Sequence, residues 1–178
     1  MEPKILIIGA GGHGKVVCDA IVAQSKYKII GFIDDSLAAG TSVSCGYKVI
    51  GSRSEINSLK EQADHFIIAI GNNKLREQVY DFFKTVLLPA TVIHPSAVIG
   101  SDVLIGDGTV VLANAVINAS AKIGENNIVN SRVVVDHDCA VGKHVHLSIG
   151  TMVGSNSLIA DSYLSGIGEN INSFSKIG

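Results

Sequence analysis

The chain has no tryptophan, and only 5% of its 178 residues are aromatic. Apolar content nevertheless reaches 47% beside 19 glycines, so the interior must be built from small aliphatic side chains joined by many turns. Charge of either sign is scarce and nearly balanced, at −2 overall. That leaves no basic footprint for nucleic acid or for an anionic membrane surface. The three cysteines (Cys18, Cys45 and Cys139) share no CxxC spacing, which argues against a disulfide framework or a zinc site. Long hydrophobic runs are missing too. The first, "ILII", ends at Gly9 and is too short for a signal peptide or a membrane span. The expected setting is a reducing cytoplasm, with no membrane insertion. The length allows one or two small domains with a real core.

What is present divides into two halves. Up to residue 88, short aliphatic runs (4–9, 27–34, 65–71) alternate with helix-like stretches (14–24, 53–62, 74–84), the pattern of βαβ units on a parallel sheet. Pro89 and Pro95 punctuate the change. From residue 99 the period becomes six: Ile99, Ile105, Val111, Ile117, Ile123, Val129, and so on to Ile177, broken only by Ser165, where the frame is expected to slip. No 3.6-residue helix or plain two-residue alternation holds such a frame. Hexapeptide repeats of this kind mean a parallel β-helix. The expected boundaries are 1–88 for a Rossmann-like α/β domain and 89–178 for the β-helix.

The frame assigns directions. With the aliphatic position and the residue two before it facing inward, the residue between them faces out. Val110, Ile128, His146 and Leu164 are therefore outward in one column and Val116 and Val134 in another, and such apolar columns are expected to be a subunit interface. His137 also points out, in a column of small neighbours (Ser101, Ala119, Ser155, Ser173) that leaves room for a substrate. Cys139 falls inward and reads as core filler. His144 and His146 form an H-x-H pair open to a metal reading, but His144 sits at a turn, so the two rings need not converge.

"GAGGHG" (9–14) is a formal G-x-G-x-x-G between a strand and a helix, with Asp34 twenty residues after Gly14. That is the dinucleotide fingerprint, and NAD is a competitor here. The underlying physics is less particular. Glycines bring backbone N–H groups close to a phosphate at a helix N-terminus, whichever nucleotide carries it.

Taken together, "IIGAGGHGKVV", "GFIDD", "IAIGNN", "IHPSAVIG" and "DHDCAVGKHVHLSIG" resemble the nucleotide-sugar acetyltransferases, which include bacillosamine- and perosamine-pathway N-acetyltransferases and sialic acid O-acetyltransferase relatives. The resemblance implies a left-handed β-helix, a homotrimer, and acetyl-CoA-dependent N-acetylation of a nucleotide-linked amino sugar. The alternatives are O-acetylation of a sugar such as sialic acid, a non-catalytic nucleotide-binding scaffold, or an NAD-binding module. It implies His137 as general base, since neutral imidazole, which titrates near ~6.5 when unperturbed, can take the proton of an attacking amine. Asp138 is implied as its orienting acid, with Asp136 the alternative. By resemblance, Gly11, Gly12, His13 and Gly14 hold the diphosphate, Asp34 and Asp35 approach the nucleoside, and Gly71 and Asn72 complete the substrate edge. His146, Gly154 and Ser155 are expected along the acetyl donor, Ser155 standing where the family usually has glycine. No metal is expected. Members of the family continue for a few hexads past the position of Gly178, so an incomplete donor groove is also expected.

Overall fold

The computed structural model describes residues 2–178. In chain order the first half runs β1 (Lys4–Ile8), α1 (Gly12–Gln24), β2 (Lys28–Ile33), β3 (Ser42–Ser44), β4 (Tyr47–Gly51), α2 (Ile56–Leu59), β5 (His65–Ile68), α3 (Asn73–Phe83) and β6 (Leu88–Pro89). The sheet order is β3-β4-β2-β1-β5-β6, parallel except where β3 turns back on β4. The β3–β4 hairpin lacks a strong aliphatic alternation and leaves no clear signal in the sequence. The helix expected over 53–62 is broken into α2 between two 3₁₀ turns.

Side-chain alternation along β1 builds two cores. Ile5 and Ile7 pack with Val17 and Ile21 of α1, whereas Leu6 and Ile8 pack with Ile56, Leu59, Val79 and Phe83 from α2 and α3. The first core does not stop at the sheet. It continues through Ala90 and Val92 into Val110, Leu112 and Ile128 of the second half.

That second half is a parallel β-helix. Two-residue strands recur every six residues, and each pairs with the strand eighteen residues on, as in Val116↔Val134 and Lys122↔Ala140. They form three sheets, one per side. The predicted inward positions from Val111 to Ile159 are buried, as are Ala115, Ala121, Val133, Cys139 and Val145 two places earlier. Every sixth residue from Asp102 to Phe174 has positive φ, which marks the corners. Asn, Asp, Gly and Ser fill most of these positions because they tolerate left-handed backbone best.

Two expectations need correction. Val110 and Ile128 are not a subunit surface: each is only 1% exposed, covered by the chain's own α1 core. The apolar character of that column comes from an intramolecular contact, which a six-residue period alone cannot distinguish from an intermolecular one. Nor does the frame slip at Ser165. That residue stays inward, its hydroxyl bonded to the Ser148 N–H and the Thr151 hydroxyl at 2.7 Å each, and Ile171 and Ile177 resume in register. Among the described residues no helix is long and apolar enough to cross a membrane.

Candidate active site

The glycine loop opens at the carboxyl ends of β1 and β2. Gly11 and Gly12 are exposed, with no atom within 4 Å of where a Cβ would sit, and the start of α1 has no side-chain cap. Beside them lies a cleft of about 230 Å³ lined by Gly9, Asp34, Asp35, Ser36, Arg53 and Leu75. This is where ligands collect on open α/β sheets.

The other loop residues have different tasks. A Cβ on Gly14 would fall 2.3 Å from the Gly9 carbonyl oxygen, so only glycine seats α1 this closely against the loop. Asp34 lines the cleft, but its carboxylate is committed to the backbone, accepting from Ala10, Ser36 and Leu37 N–H groups. Asp35 pairs with the Arg53 side chain and main chain. Partial burial of Asp35 opposes ionisation, yet those bonds and the Arg53 charge hold its carboxyl below the usual range. Asn72 caps α3 through Leu75 N–H at 2.9 Å.

His13 turns away from the loop, into the junction between the halves. Its ring centroid is 6.2 Å from that of His146, and its Nε2 is buried without a partner. Burial, then the nearby His146 and Arg76 charges, push its pKa down to about 4. His146 is half-buried there, with Nδ1 3.3 Å from the Gly71 carbonyl oxygen and Nε2 3.2 Å from Asn130 Nδ2. His144 lies on another side of the junction, buried against the edge of Tyr80 with Nδ1 on Asn126 Nδ2. The H-x-H pair does not converge, and the described residues hold no metal-binding cluster.

His137 is exposed at a corner of the β-helix. Its Nδ1 is 2.8 Å from Asp138 Oδ2, while Asp136 takes the His137 backbone N–H and Asn118 Nδ2. The carboxylate on the ring is therefore that of Asp138, whose left-handed backbone swings its side chain back toward the imidazole. The Asp138 hydrogen bond, reinforced by the charges of Asp136 and Asp138, raises the His137 pKa. One coil away, Gly154 donates its N–H to Ile171 in the ladder, and a Cβ there would meet Ser173 N at 2.5 Å. Gly154 is thus a stacking position, and its N–H is not free for a donor. Ser155 bonds Ser173 through its hydroxyl.

Sequence reasoning missed the α3 residues that join the halves. Asn73 Nδ2 donates to the Ser162 and Tyr163 carbonyls, and Arg76, 1% exposed, spends its guanidinium on carbonyls of both halves. An arginine on a helix reads as solvent-facing. The signal that could have found it is the spacing of Val79, Tyr80 and Phe83, three, four and seven positions on, which places Arg76 on the same buried face.

Residues 4–83 match the family model "PglD N-terminal domain", and residues 84–119 match "Bacterial transferase hexapeptide (six repeats)". The acetyltransferase domain of PglB from Neisseria gonorrhoeae FA1090 superposes with a TM-score of 0.74 at 33% identity, covering 98% of this chain and 87% of that one. The chain belongs to the left-handed β-helix family of nucleotide-sugar acetyltransferases. Within this acetyltransferase family, a mutant of perosamine N-acetyltransferase from Caulobacter crescentus, solved with CoA and GDP-perosamine, gives a TM-score of 0.80 at 28% identity over 98% and 93% of the two chains. UDP-N-acetylbacillosamine N-acetyltransferase of Bacillus subtilis (strain 168) is 35% identical over 120 residues, 62% of this chain. That match spans 51% of the Bacillus protein's length.

Proposed function

We propose that this chain transfers the acetyl group of acetyl-CoA to the amine of a nucleotide-linked amino sugar. The observation that carries the reading is the His137–Asp138 pair, an exposed imidazole held by a carboxylate beside open ground. Neutral His137 accepts the amine proton at Nε2 as the nitrogen attacks the thioester carbonyl. Asp138 holds the proton on Nδ1 and stabilises the imidazolium that forms. The same imidazolium returns the proton to the departing thiolate, and the charges balance.

Residues 1–88 are the nucleotide-holding part in this reading, with the diphosphate against the Gly11 and Gly12 backbone at the start of α1 and the nucleoside in the Asp35–Arg53 cleft. Residues 89–178 carry the chemistry. N-acetylation is preferred to O-acetylation because the similar proteins are named N-acetyltransferases, and one is solved with GDP-perosamine.

A homotrimer is part of the proposal. His137 follows the side bearing Val98 and Met152 and precedes the side bearing Leu104 and Leu158, all four well exposed. A second copy packed on either apolar side closes over the imidazole and supplies a wall for acetyl-CoA with Ser155 along it, while His146 meets the donor from the third side, at the junction.

The test incubates the purified chain with acetyl-CoA and UDP-, GDP- or CMP-linked amino sugars and follows free thiol release. Acetylated product with one of them, lost in His137→Ala, is expected. Thiol release that is independent of any amino sugar would overturn the reading.

A further inference from the structure

All five guanidinium N–H groups of Arg76 go to main-chain carbonyls. Nε donates to Asn126, Nη1 to Ile70 and Gly71, and Nη2 to His144 and Val145. None goes to a carboxylate. Burying a charge in this way carries a desolvation penalty that an apolar side chain of the same volume would not incur. The arrangement does give a geometry. The guanidinium is a planar fork with fixed directions, so it locks the loop after β5 to two successive coils of the β-helix.

The same Gly71 carbonyl that Arg76 holds at 3.2 Å is the partner of His146 Nδ1 at 3.3 Å. The other ring nitrogen faces the amide of Asn130. Asn130 Oδ1 accepts from the Ser131 N–H at 2.8 Å, which fixes the amide with its NH₂ toward His146 Nε2. Nε2 must then be the acceptor, and the ring proton sits on Nδ1, pointing at Gly71. The Asn130 amide and the Gly71 carbonyl therefore set the tautomer together.

We propose that Arg76 is a positioning residue for His146, fixing the Gly71 carbonyl in front of the ring and the Val145 carbonyl behind its backbone so that His146 is held neutral as its Nδ1–H tautomer. Burial of His146 and the Arg76 charge both work against a second proton, and only the Gly71 carbonyl favours one. The importance of His146 for the acetyl donor rests on the function proposed above; its tautomer does not.

The experiment reads the ring nitrogens directly. In the full chain labelled with ¹⁵N-histidine, two-bond correlation spectra at pH 7.5 report each tautomer, His146 being assigned by its loss in His146→Gln. Wild type should show a single Nδ1–H pattern for His146. Arg76→Lys keeps the charge but loses the fork, so, with Asn130 alone left to choose between the ring nitrogens, the single pattern should give way to a mixture while the pKa stays low. Arg76→Met removes both, and the His146 titration should also move up toward its ordinary value. Arg76→Lys decides the matter if Arg76→Met does not fold. A single Nδ1–H pattern surviving in Arg76→Lys overturns the proposal, whatever the acetylation assay gives.

Discussion

Asp138 reaches the Nδ1 of its neighbour His137 at 2.8 Å from a left-handed corner, with φ at 58°. Adjacent side chains on a strand diverge, so the contact exists only because the corner turns the chain between them. It follows that the Asp138 carboxylate is coupled to the β-helix turn as well as to the imidazole.

Replacing His137 by alanine is expected to lower turnover by about 10²–10⁴-fold, the usual contribution of a general base. Nucleotide-sugar affinity should be kept, because the cleft lies on the other domain. Steady-state kinetics with a matched binding titration separates the two; a full-rate alanine variant would move the base elsewhere.

The pH profile carries the sign of the same contact. Asp138 raises the His137 pKa, so the acid limb of kcat/KM should lie above the ordinary histidine value of 6.5. Asp138→Asn removes the carboxylate and should shift that limb to lower pH, while slowing the plateau less than His137→Ala does. An acid limb that stays in place in Asp138→Asn would assign the raised pKa to Asp136.

Core continuity between the halves predicts cooperative unfolding. Ile128 is buried in a cluster that also contains Val17 and Ile21 of α1. Ile128→Ala should cost about 2–5 kcal/mol. Because the core is shared, near-UV and far-UV signals should lose that stability together in one denaturant transition. Two separated transitions in the wild type would contradict a common core.

The β-helix was legible because its signal is a period, repeated too often to be chance: the inward frame from Val111 to Ile159 follows from counting by six. The outward placement of His137 was legible through the frame, whereas the Asp138 contact to its ring depends on a left-handed corner that the frame does not show. The junction was not. Val110 and Ile128 look alike whether a neighbour molecule or the chain's own α1 covers them, and long-range pairing leaves no local pattern. Arg76 was hidden for a related reason, since the carbonyls it reaches on His144 and Val145 lie 68 and 69 positions away and carbonyls have no sequence identity. The glycine loop was legible as a turn but not residue by residue. G-x-G-x-x-G marks the turn, but only the backbone shows that Gly12 faces open space while Gly14 faces Gly9.

That difference is testable with two substitutions that the motif alone would treat alike. Gly12→Ala adds its methyl to open space in the first turn of α1, so thermal stability should hold or rise slightly. Nucleotide-sugar binding by calorimetry should nonetheless weaken, because the methyl stands in front of the N–H groups. Gly14→Ala puts its methyl against the Gly9 carbonyl and should lower the melting temperature outright. Equal stability losses in the two variants would remove the distinction.

The last prediction concerns acid stability of the junction. His13 titrates at about 4 in the folded chain against 6.5 as a free side chain, chiefly because it is buried. Between those values the unfolded chain binds the extra proton and the folded chain does not. Stability from this source is therefore complete above pH 6.5 and is lost as pH falls toward 4. Such a shift corresponds to on the order of 3 kcal/mol. His144 and His146 shift in the same direction, burial being the largest cause for each, so they add to the slope. Urea denaturation at intervals from about pH 7.5 to about pH 4.5 should show stability falling steadily once the unfolded histidines begin to protonate. His13→Gln should flatten that fall without abolishing it, since the other two histidines remain. An unchanged slope in His13→Gln would mean that His13 takes up its proton equally well in the folded state, and that its ring is not shut into the junction.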